Sequence, residues 1–541
     1  MPRAARTDLA THEVMNQPEP RESLDLWGAD AALRAEAARA CSGDADRLAG
    51  FAAEVGSARS LDDALAAQRV KPELRVFDRG GRRIDEVHFH PGYHAMMTRG
   101  AEGGYFARPW DGRPGGHAAH ALMVYLLSQV EPGVCCPLTM TYAAVPALRA
   151  SAPPEIAGDW IARATAPAYD GASRPAMEKP AVTIGMAMTE KQGGSDVRAN
   201  ATVAERDGEG WRLTGHKWFC SAPMSDAFLT LAYAEGGLTC FLAPRWTPDG
   251  ARNPIQLQRL KDKLGNHANA SSEIEYHGAF AWKLGEIGRG VPTIIEMVHH
   301  TRLDAAVAPV GFMRRALDEA AWWTRHRSAF QRRLADQPLM QAVLADLALD
   351  WLGAFAGVMR VARAFDGEDA QDRAFARIGV ALAKYLTNKR APLVTVEAME
   401  CLGGVGYVEE SPMPMLYREA PLNGIWEGSG NVICLDVLRA LTRNPEAGEA
   451  LAADLRSVQG ADRRYDAALA EAEALLVRPA EARARELTER LGFLMQAAEL
   501  IRHGDPAVAD AFCATRLAGE WGRCFGALPD AVDAPRIAAM I

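Results

Sequence analysis

The sequence predicts an α+β fold in which a β domain interrupts an otherwise helical chain of 541 residues. Two observations support this class. Apolar residues recur at helical spacing along most of the chain, whereas residues 181–285 break into short segments that alternate apolar with polar side chains. We therefore predict a mostly helical N-terminal domain (1–180), a central antiparallel β-barrel or sandwich (181–285), a helical bundle (286–444) and an extra C-terminal helical domain (445–541).

The N-terminal domain alternates helical stretches with Gly- and Pro-rich connectors. Residues 23–50 are rich in Ala and Leu, with Asp and Arg spread as on solvated helix faces. The pair Gly80-Gly81 and the stretch 109–116 are typical of connectors, and helical spacing returns over 117–130. We expect this domain to be mostly helical.

Six short segments of the β domain are typical of strands. They are Val182–Met188, Trp211–Leu213, Phe228–Tyr233, Leu238–Leu242, Ile255–Leu260 and Ser272–Tyr276. Gly236-Gly237 lies between two of them, as in a tight hairpin. Long helices do not intervene, and the chain has neither a G-x-G-x-x-G step after a strand nor a Walker loop. A parallel nucleotide-binding sheet is therefore excluded.

Helical periodicity returns after the β domain. Apolar residues between Leu339 and Met359 fall at steps of three and four, and residues 375–399 do the same. The pair Gly403-Gly404 then ends that helix. The segment from Pro445 to the end is again rich in Ala, Leu, Arg and Glu, which predicts further helices.

Composition excludes several classes of protein. An apolar share of 48% is enough for a large core, and a net charge of −9 argues against a protein that coats nucleic acid. Nine cysteines without a C-x-x-C pair are typical of buried thiols in a reducing compartment. The sequence shows neither a secretory signal nor an apolar run of about 18–20 residues that would span a membrane. We expect a cytoplasmic protein with no membrane partner.

Three histidines close together raise the possibility of a metal site. His88, His90 and His94 match no standard set of ligand spacings. We therefore predict no metal and interpret them as ordinary hydrogen-bonded histidines.

One carboxylate stands out near the end of the predicted bundle. Glu427 lies between Trp426 and a Gly-Ser-Gly step, in a loop that leads into a predicted helix over 432–441. Glycines let the backbone approach a bulky ligand, and an apolar wall would raise the pKa of the carboxyl group toward the range of a general base. The alternative is a loop in which Glu427 only stabilises the N-terminus of the following helix.

Two further motifs in the β domain suggest a binding site. The stretch 188–196 turns on Gly193-Gly194 and presents hydroxyl and backbone N–H groups, as a loop for a polar planar ligand or a phosphate does. In the stretch 215–221, Trp218 or Phe219 would pack on a flat ring while Ser221 donates a hydrogen bond. The alternatives are a plain hairpin loop and an ordinary strand.

The order of these motifs resembles that of the acyl-CoA dehydrogenase family of flavoproteins. The residues that carry the resemblance are Met188–Asp196, Lys217–Ser221, Arg327–Phe330 with Gln341, Leu402–Tyr407 and Trp426–Gly428. Together with Arg259–Asn266 and Asn16–Pro18, they resemble more narrowly the DNA alkylation-response branch of that family. The resemblance covers essentially the whole chain.

The resemblance implies an FAD enzyme that oxidises acyl-CoA thioesters, and a homotetramer. Glu427 would remove the α-proton while the β-hydride goes to flavin N5. Arg327 and Gln341 would reach the FAD of a neighbouring subunit. The full set of implied FAD contacts is Met188, Thr189, Gln192, Gly194, Ser195, Phe219, Ser221, Arg327, Gln341, Gly428, Ser429 and Asn431.

The sequence departs from the family at two positions beside these contacts. Phe219 stands where many members have Trp, and Gln331 stands where Gly is usual. The first change keeps an aromatic wall, whereas the second bears on the conformation of the loop after Arg327.

Association with double-stranded DNA is the other property that the resemblance implies. Arg439, Arg443 and Arg516 are the candidate contacts. However, the segment from Pro445 onward has eleven Arg, no Lys and sixteen Asp plus Glu, a net charge of −5. Phosphate binding needs a clustered basic face, and the alternative is that these arginines pair with neighbouring acids. A DNA-associated protective flavoprotein with little turnover is thus the alternative function, and a flavin-stabilised scaffold is a third.

Overall fold

The computed structural model describes residues 5–541, and the first four residues of the predicted N-terminal domain lie outside it. Seven helices precede the central sheet: α1 Ala31–Ala40, α2 Ala45–Val55, α3 Ala58–Arg69, α4 Pro91–Gly103, α5 Gly116–Ser128, α6 Pro132–Ser151 and α7 Pro154–Ala164. A hairpin, β1 Glu73–Phe77 and β2 Arg83–His88, lies between α3 and α4. The connector predicted at Gly80-Gly81 is the turn of this hairpin, which the mostly helical prediction missed.

The β domain contains seven strands. They are β3 Ile184–Ala187, β4 Val203–Asp207, β5 Gly210–Ser221, β6 Ala227–Ala234, β7 Gly237–Pro244, β8 Ile255–Leu260 and β9 Ser271–Leu284. All six predicted strands are present. The missed strand, β4, is mostly polar and exposed, so it lacks the apolar pattern of a strand.

The strands form one mixed sheet in the order β3-β6-β4-β5-β9-β7, with β8 on β9 and an additional β6–β7 pairing. The predicted β6–β7 hairpin is present, but it turns at Glu235-Gly236, one residue before the predicted pair, and Gly237 begins β7. However, β3 and β4 each run parallel to β6, so the prediction of a wholly antiparallel sheet is wrong. The loop over 188–202 and the β4–β5 hairpin supply the long connection that parallel pairing requires. The barrel itself stays a prediction.

The remaining elements surround the sheet and extend to the C-terminus. Ten helices follow it: α8 Gly290–His326, α9 Pro338–Asp366, α10 Ala370–Cys401, α11 Met413–Glu419, α12 Gly430–Arg443, α13 Pro445–Arg456, α14 Arg463–Leu476, α15 Ala484–His503, α16 Pro506–Phe512 and α17 Ala534–Ala538. A two-residue hairpin, β10 Ser328–Ala329 and β11 Arg332–Arg333, joins α8 to α9. The helices of all three helical regions share one hydrophobic core, and the sheet encloses a second. The domain boundaries at 180, 285 and 444 stay predictions.

Helix α9 is long and apolar enough to cross a membrane by length and composition. No membrane-spanning segment is predicted from the sequence. However, 78% of its most apolar window is buried inside the protein, as in the core helix of a globular fold.

Candidate active site

The loop between α11 and α12 holds Glu427 in an unusual backbone conformation. Glu427 has φ +56° and Gly428 has φ +99°, so both residues lie in the left-handed region. A residue with a Cβ adopts this region at a cost of about 1–3 kcal/mol, and such strain is typical of functional sites.

Two buried cations hold this turn. The Arg302 guanidinium, from α8, donates from Nε to the Glu427 carbonyl oxygen at 3.1 Å. The Lys384 ammonium, from α10, donates from Nζ to the Gly428 carbonyl oxygen at 2.7 Å. Arg302 is fixed in turn by Asp436 at 2.7 Å, and Arg377 shares that carboxylate. The surrounding bundle therefore determines where the Glu427 side chain can point.

One oxygen of the Glu427 carboxyl group is buried, although the residue as a whole is half-buried. Its Oε2 atom is buried and has no hydrogen-bond partner within residues 5–541. Burial raises the pKa of Glu427, and the opposing effects of Thr301, Lys384 and Arg302 offset the shift only in part. Trp426, whose Nε1 donates to Asn423 at 2.5 Å, is half-buried beside it. The apolar wall predicted beside the carboxylate stays a prediction, whereas a buried carboxylate oxygen without a partner can accept a proton from a ligand.

The two predicted loops of the β domain lie side by side. The Trp218 amide donates to the Thr189 carbonyl oxygen at 2.8 Å, which joins the loop after β3 to β5. A fully buried ion pair, Lys217 to Glu190 at 2.7 Å, fixes the same junction, and Gln192 donates to Glu190 as well. The predicted contacts Met188 and Thr189 are half-buried here, whereas Gly194 and Ser195 are exposed.

Phe219 is the more exposed of the two aromatic residues. The Lys261 ammonium lies between them, 3.1 Å from the centroid of the Trp218 ring and 4.7 Å from that of Phe219. The Phe219 side chain is 48% exposed. Ser221, two residues further on, is half-buried, and its hydroxyl lies 3.2 Å from that of Ser271.

The Cys136 thiol of α6 is affected by groups from both predicted regions. Its pKa is raised to about 12, chiefly by burial; the Lys263 ammonium lowers the pKa, the Glu427 carboxylate raises it and the Ser221 hydroxyl lowers it. Glu427 and Ser221, more than two hundred positions apart in the sequence, are therefore both in the neighbourhood of α6.

Arg327 and Gln341 lie at the connection between α8 and α9 instead. Arg327 donates to the Asn16 carbonyl oxygen at 2.6 Å, and Asn16 also pairs with Ser328. Gln341 is half-buried near the start of α9. Gln331, in the position where Gly is usual, has φ +63°, so the glutamine adopts the left-handed turn that glycine would favour.

The start of α12 receives a contact that the sequence did not suggest. Gly428 and Ser429 precede this helix, and Asn431 accepts a hydrogen bond at 3.0 Å from Arg485 of α15. The C-terminal segment therefore contacts the predicted cofactor loop directly.

The three predicted DNA contacts are not equivalent. Arg439 and Arg443 are exposed one turn apart on α12, with Arg439 3.7 Å from Asp436. The Arg516 side chain is instead fully buried and pairs with Asp346 at 2.6 Å and Asp350 at 3.0 Å. Arg516 cannot contact phosphate there, and its prediction is corrected.

Most other arginines of the C-terminal segment also pair with acids. Besides Arg516, those with an ion pair are Arg456, Arg464, Arg483, Arg490, Arg502 and Arg536. This agrees with the alternative interpretation of the sequence, in which these arginines pair with neighbouring acids.

Two of the three histidines considered for a metal serve structural roles, and the third, His88, is exposed at the end of β2. His90 caps α4 by accepting from the Gly92 amide at 3.0 Å, and His94 contacts the Tyr169 hydroxyl at 2.9 Å. Within residues 5–541, no group of three or more His, Cys, Asp or Glu side chains is arranged to hold a metal ion.

The comparisons with known proteins agree with this architecture. Residues 16–171 match the AidB N-terminal domain of adaptive response proteins, 185–279 the acyl-CoA dehydrogenase middle domain, and 288–442 the acyl-CoA dehydrogenase C-terminal domain. The chain belongs to the acyl-CoA dehydrogenase family, and it is therefore an oxidoreductase and a flavoprotein with FAD as its cofactor.

Within that family, the chain is 43% identical to the putative acyl-CoA dehydrogenase AidB of Escherichia coli K12, over 94% of each chain. Its fold is similar to that of Caenorhabditis elegans ACDH-11 in complex with C11-CoA, with a TM-score of 0.85, 25% identity, and coverage of 99% and 97% of the two chains. A Bacillus anthracis acyl-CoA dehydrogenase complexed with FAD has the same fold, with a TM-score of 0.65, 17% identity, and coverage of 83% and 89%.

The residues present fit a flavin. Phe219 offers an exposed aromatic ring, Ser221 offers a hydroxyl two residues further on, and the Glu427 Oε2 atom is buried without a hydrogen-bond partner among residues 5–541. A planar ring with a thioester between it and Glu427 matches these three features.

Proposed function

We propose that the protein dehydrogenates acyl-CoA thioesters and that Glu427 is the base that removes the α-proton. The observation that carries this proposal is the buried Oε2 atom of Glu427, which has no hydrogen-bond partner among the described residues and belongs to a carboxyl group of raised pKa. A base of raised pKa in a dry pocket is suited to a weakly acidic C–H proton.

The protein's residues supply position, dryness and the base. Arg302 and Lys384 hold the turn that aims Glu427, and burial keeps water from its Oε2 atom. The α-proton passes to Glu427 Oε2, and a double bond forms between the α and β carbons. Bound FAD supplies the oxidising power by accepting the β-hydride. Phe219 and Ser221 would place the flavin, with Met188 and Thr189 beside them.

An anaerobic titration tests this function. The purified protein with bound FAD is mixed with saturated acyl-CoAs of short, branched and medium chain length, and the flavin absorbance is followed. Bleaching by at least one thioester, with the matching enoyl-CoA as product, supports the proposal. If a fully loaded flavin is reduced by dithionite but by none of these thioesters, the protein is not an acyl-CoA dehydrogenase of this kind.

We also propose that the protein is a homotetramer in which Arg327 and Gln341 reach a neighbour's FAD. The turn after Arg327 carries Phe330, which is 92% exposed, and Leu339 nearby is 84% exposed. Large apolar side chains this exposed are typical of an interface. We expect Phe330→Ser with Leu339→Ser to lower the mass measured by sedimentation and to weaken FAD binding. Leu9→Ser, at an exposed site elsewhere, is the control. An unchanged tetramer in the double variant would contradict this role for the turn.

We also propose a cytoplasmic location. Association with double-stranded DNA is the second candidate function. The supporting observation is the exposed pair Arg439 and Arg443 on one face of α12. We expect any binding to be independent of sequence and to weaken with salt. Arg439→Ala with Arg443→Ala should abolish the shift of a labelled duplex at low salt, whereas Arg523→Ala, at another exposed arginine, should not. A duplex that the wild-type protein does not shift at low salt would remove this function.

A further inference from the structure

Lys384 is a buried cation with an unusual set of partners. Its side chain comes from the middle of α10, and the residue is only 2% exposed. Lys384 Nζ donates to the carbonyl oxygen of Gly428 at 2.7 Å, and the described residues provide no carboxylate within ion-pair distance of it. A buried ammonium is costly unless an opposite charge lies near it. The question is which group supplies that charge.

Glu427 is the carboxylate that affects the pKa of Lys384. Burial lowers the pKa of Lys384 to about 7; the Glu427 carboxylate opposes this shift, whereas Arg302 and Lys389 add to it. Lys384 in turn lowers the pKa of Glu427. The Asp436 carboxylate pairs with Arg302 and Arg377 rather than with Lys384. Each of the two groups is therefore the other's main opposite charge.

The backbone geometry gives Lys384 a second effect on the same residue. Its hydrogen bond ends on the peptide that follows Glu427, where φ is +56° at Glu427 and +99° at Gly428. A hydrogen bond to this carbonyl stabilises a turn that a glutamate would otherwise avoid. Lys384 therefore acts on the Glu427 carboxyl group in two ways, through its positive charge and through the turn that it holds.

We propose that Lys384 is a positioning residue for the reaction: its ammonium holds the Glu427–Gly428 turn and supplies the positive charge that keeps Glu427 in its carboxylate form. This inference rests on the proposed function of Glu427. It assigns to α10 a role in proton abstraction that the apolar periodicity of that helix does not suggest.

Three substitutions separate the two effects. Lys384→Met removes both the charge and the hydrogen bond, Lys384→Gln offers an N–H donor without the charge, and Lys384→Arg keeps the charge. Each FAD-loaded variant binds a 3-thia-acyl-CoA, which cannot be dehydrogenated but gives a long-wavelength absorbance band when its α-proton is removed. The band is titrated against pH. Lys71→Met, at an exposed lysine, is the matched control.

The wild-type band should grow as pH rises through the pKa of Glu427, because only the carboxylate can take the proton. Without the Lys384 charge, the carboxylate forms less readily. The midpoint of the band for Lys384→Met and Lys384→Gln should therefore move to higher pH by about one unit or more. Lys384→Arg and the Lys71→Met control should keep a midpoint near that of wild type. A shift is informative even in a variant that binds less ligand, since the midpoint is independent of the amplitude.

Two contrary results are distinguishable. If wild type, Lys384→Met and Lys384→Gln share one midpoint, the inference about Lys384 is wrong although Glu427 remains the base. If wild type binds the analogue and forms no band at any pH, the proposed function fails, and the inference fails with it.

Discussion

Replacing Glu427 by glutamine is expected to lower the rate of flavin reduction by acyl-CoA by about 10²- to 10⁴-fold, the usual contribution of a general base. The amide has nearly the same shape as the carboxylic acid but cannot accept the α-proton. The left-handed turn is held through backbone carbonyl oxygens, so Arg302 and Lys384 can still bind it in the variant. The measurement is single-turnover reduction of the flavin under anaerobic conditions.

The control must show that only the chemistry is lost. The Glu427→Gln protein should keep its fold and its FAD, because the turn is held through backbone carbonyl oxygens. A modest fall in melting temperature is expected, since the substitution removes the charge opposite the buried Lys384. Glu410→Gln makes the same chemical change at an exposed glutamate in the preceding loop and should reduce the flavin at the wild-type rate. Reduction of Glu427→Gln within a few-fold of wild type would show that another group is the base.

The largest effect on stability is expected for Arg516→Leu. Its guanidinium pairs with Asp346 and Asp350 of α9, and all three side chains are buried. Removing one partner of a buried pair leaves uncompensated charge, which costs about 3–5 kcal/mol. Arg390 also pairs with Asp350, so Asp346 is the carboxylate most affected. Urea unfolding of the variant and wild type, followed by far-UV circular dichroism, measures the difference.

Arg523→Leu is the matched control, since Arg523 is exposed in the same C-terminal segment. It should change the free energy of unfolding by no more than about 0.5 kcal/mol, as surface substitutions usually do. A small effect of Arg516→Leu, equal to that of the control, would contradict the buried ion-pair role.

The local pattern of apolar residues predicted most of the fold, because helices and strands bury side chains that recur at different intervals along the sequence. The six predicted strands and the long helices after the sheet are all present. The β1–β2 hairpin was missed because Gly80-Gly81 suggested only a connector, and β4 because its side chains are mostly polar. The parallel pairings of β6 depend on how the chain crosses over after β3, which alternation of side chains does not encode.

The candidate site was predictable where its residues lie in one short motif. Glu427 and the two β-domain loops were predicted in this way, and the Glu427 carboxylate and the Ser221 hydroxyl both act on the pKa of Cys136. Lys384 and Arg302 were missed because α8 and α10 each carry several charged residues, and the sequence alone does not show which of them is buried. A cation that is buried must find a partner, which becomes visible only in the fold. Arg516 was misplaced because sequence cannot distinguish a surface arginine from one that is paired in the core.

The most direct test of the account is α-proton exchange. FAD-loaded wild type and Glu427→Gln are incubated without an electron acceptor in D2O with a 3-thia-acyl-CoA, and mass spectrometry follows deuterium at the α-carbon. If Glu427 is the base, wild type should incorporate deuterium, and Glu427→Gln should do so no faster than the thioester alone in buffer. Equal exchange by the two proteins, above that of buffer, would contradict the central claim that Glu427 removes the α-proton.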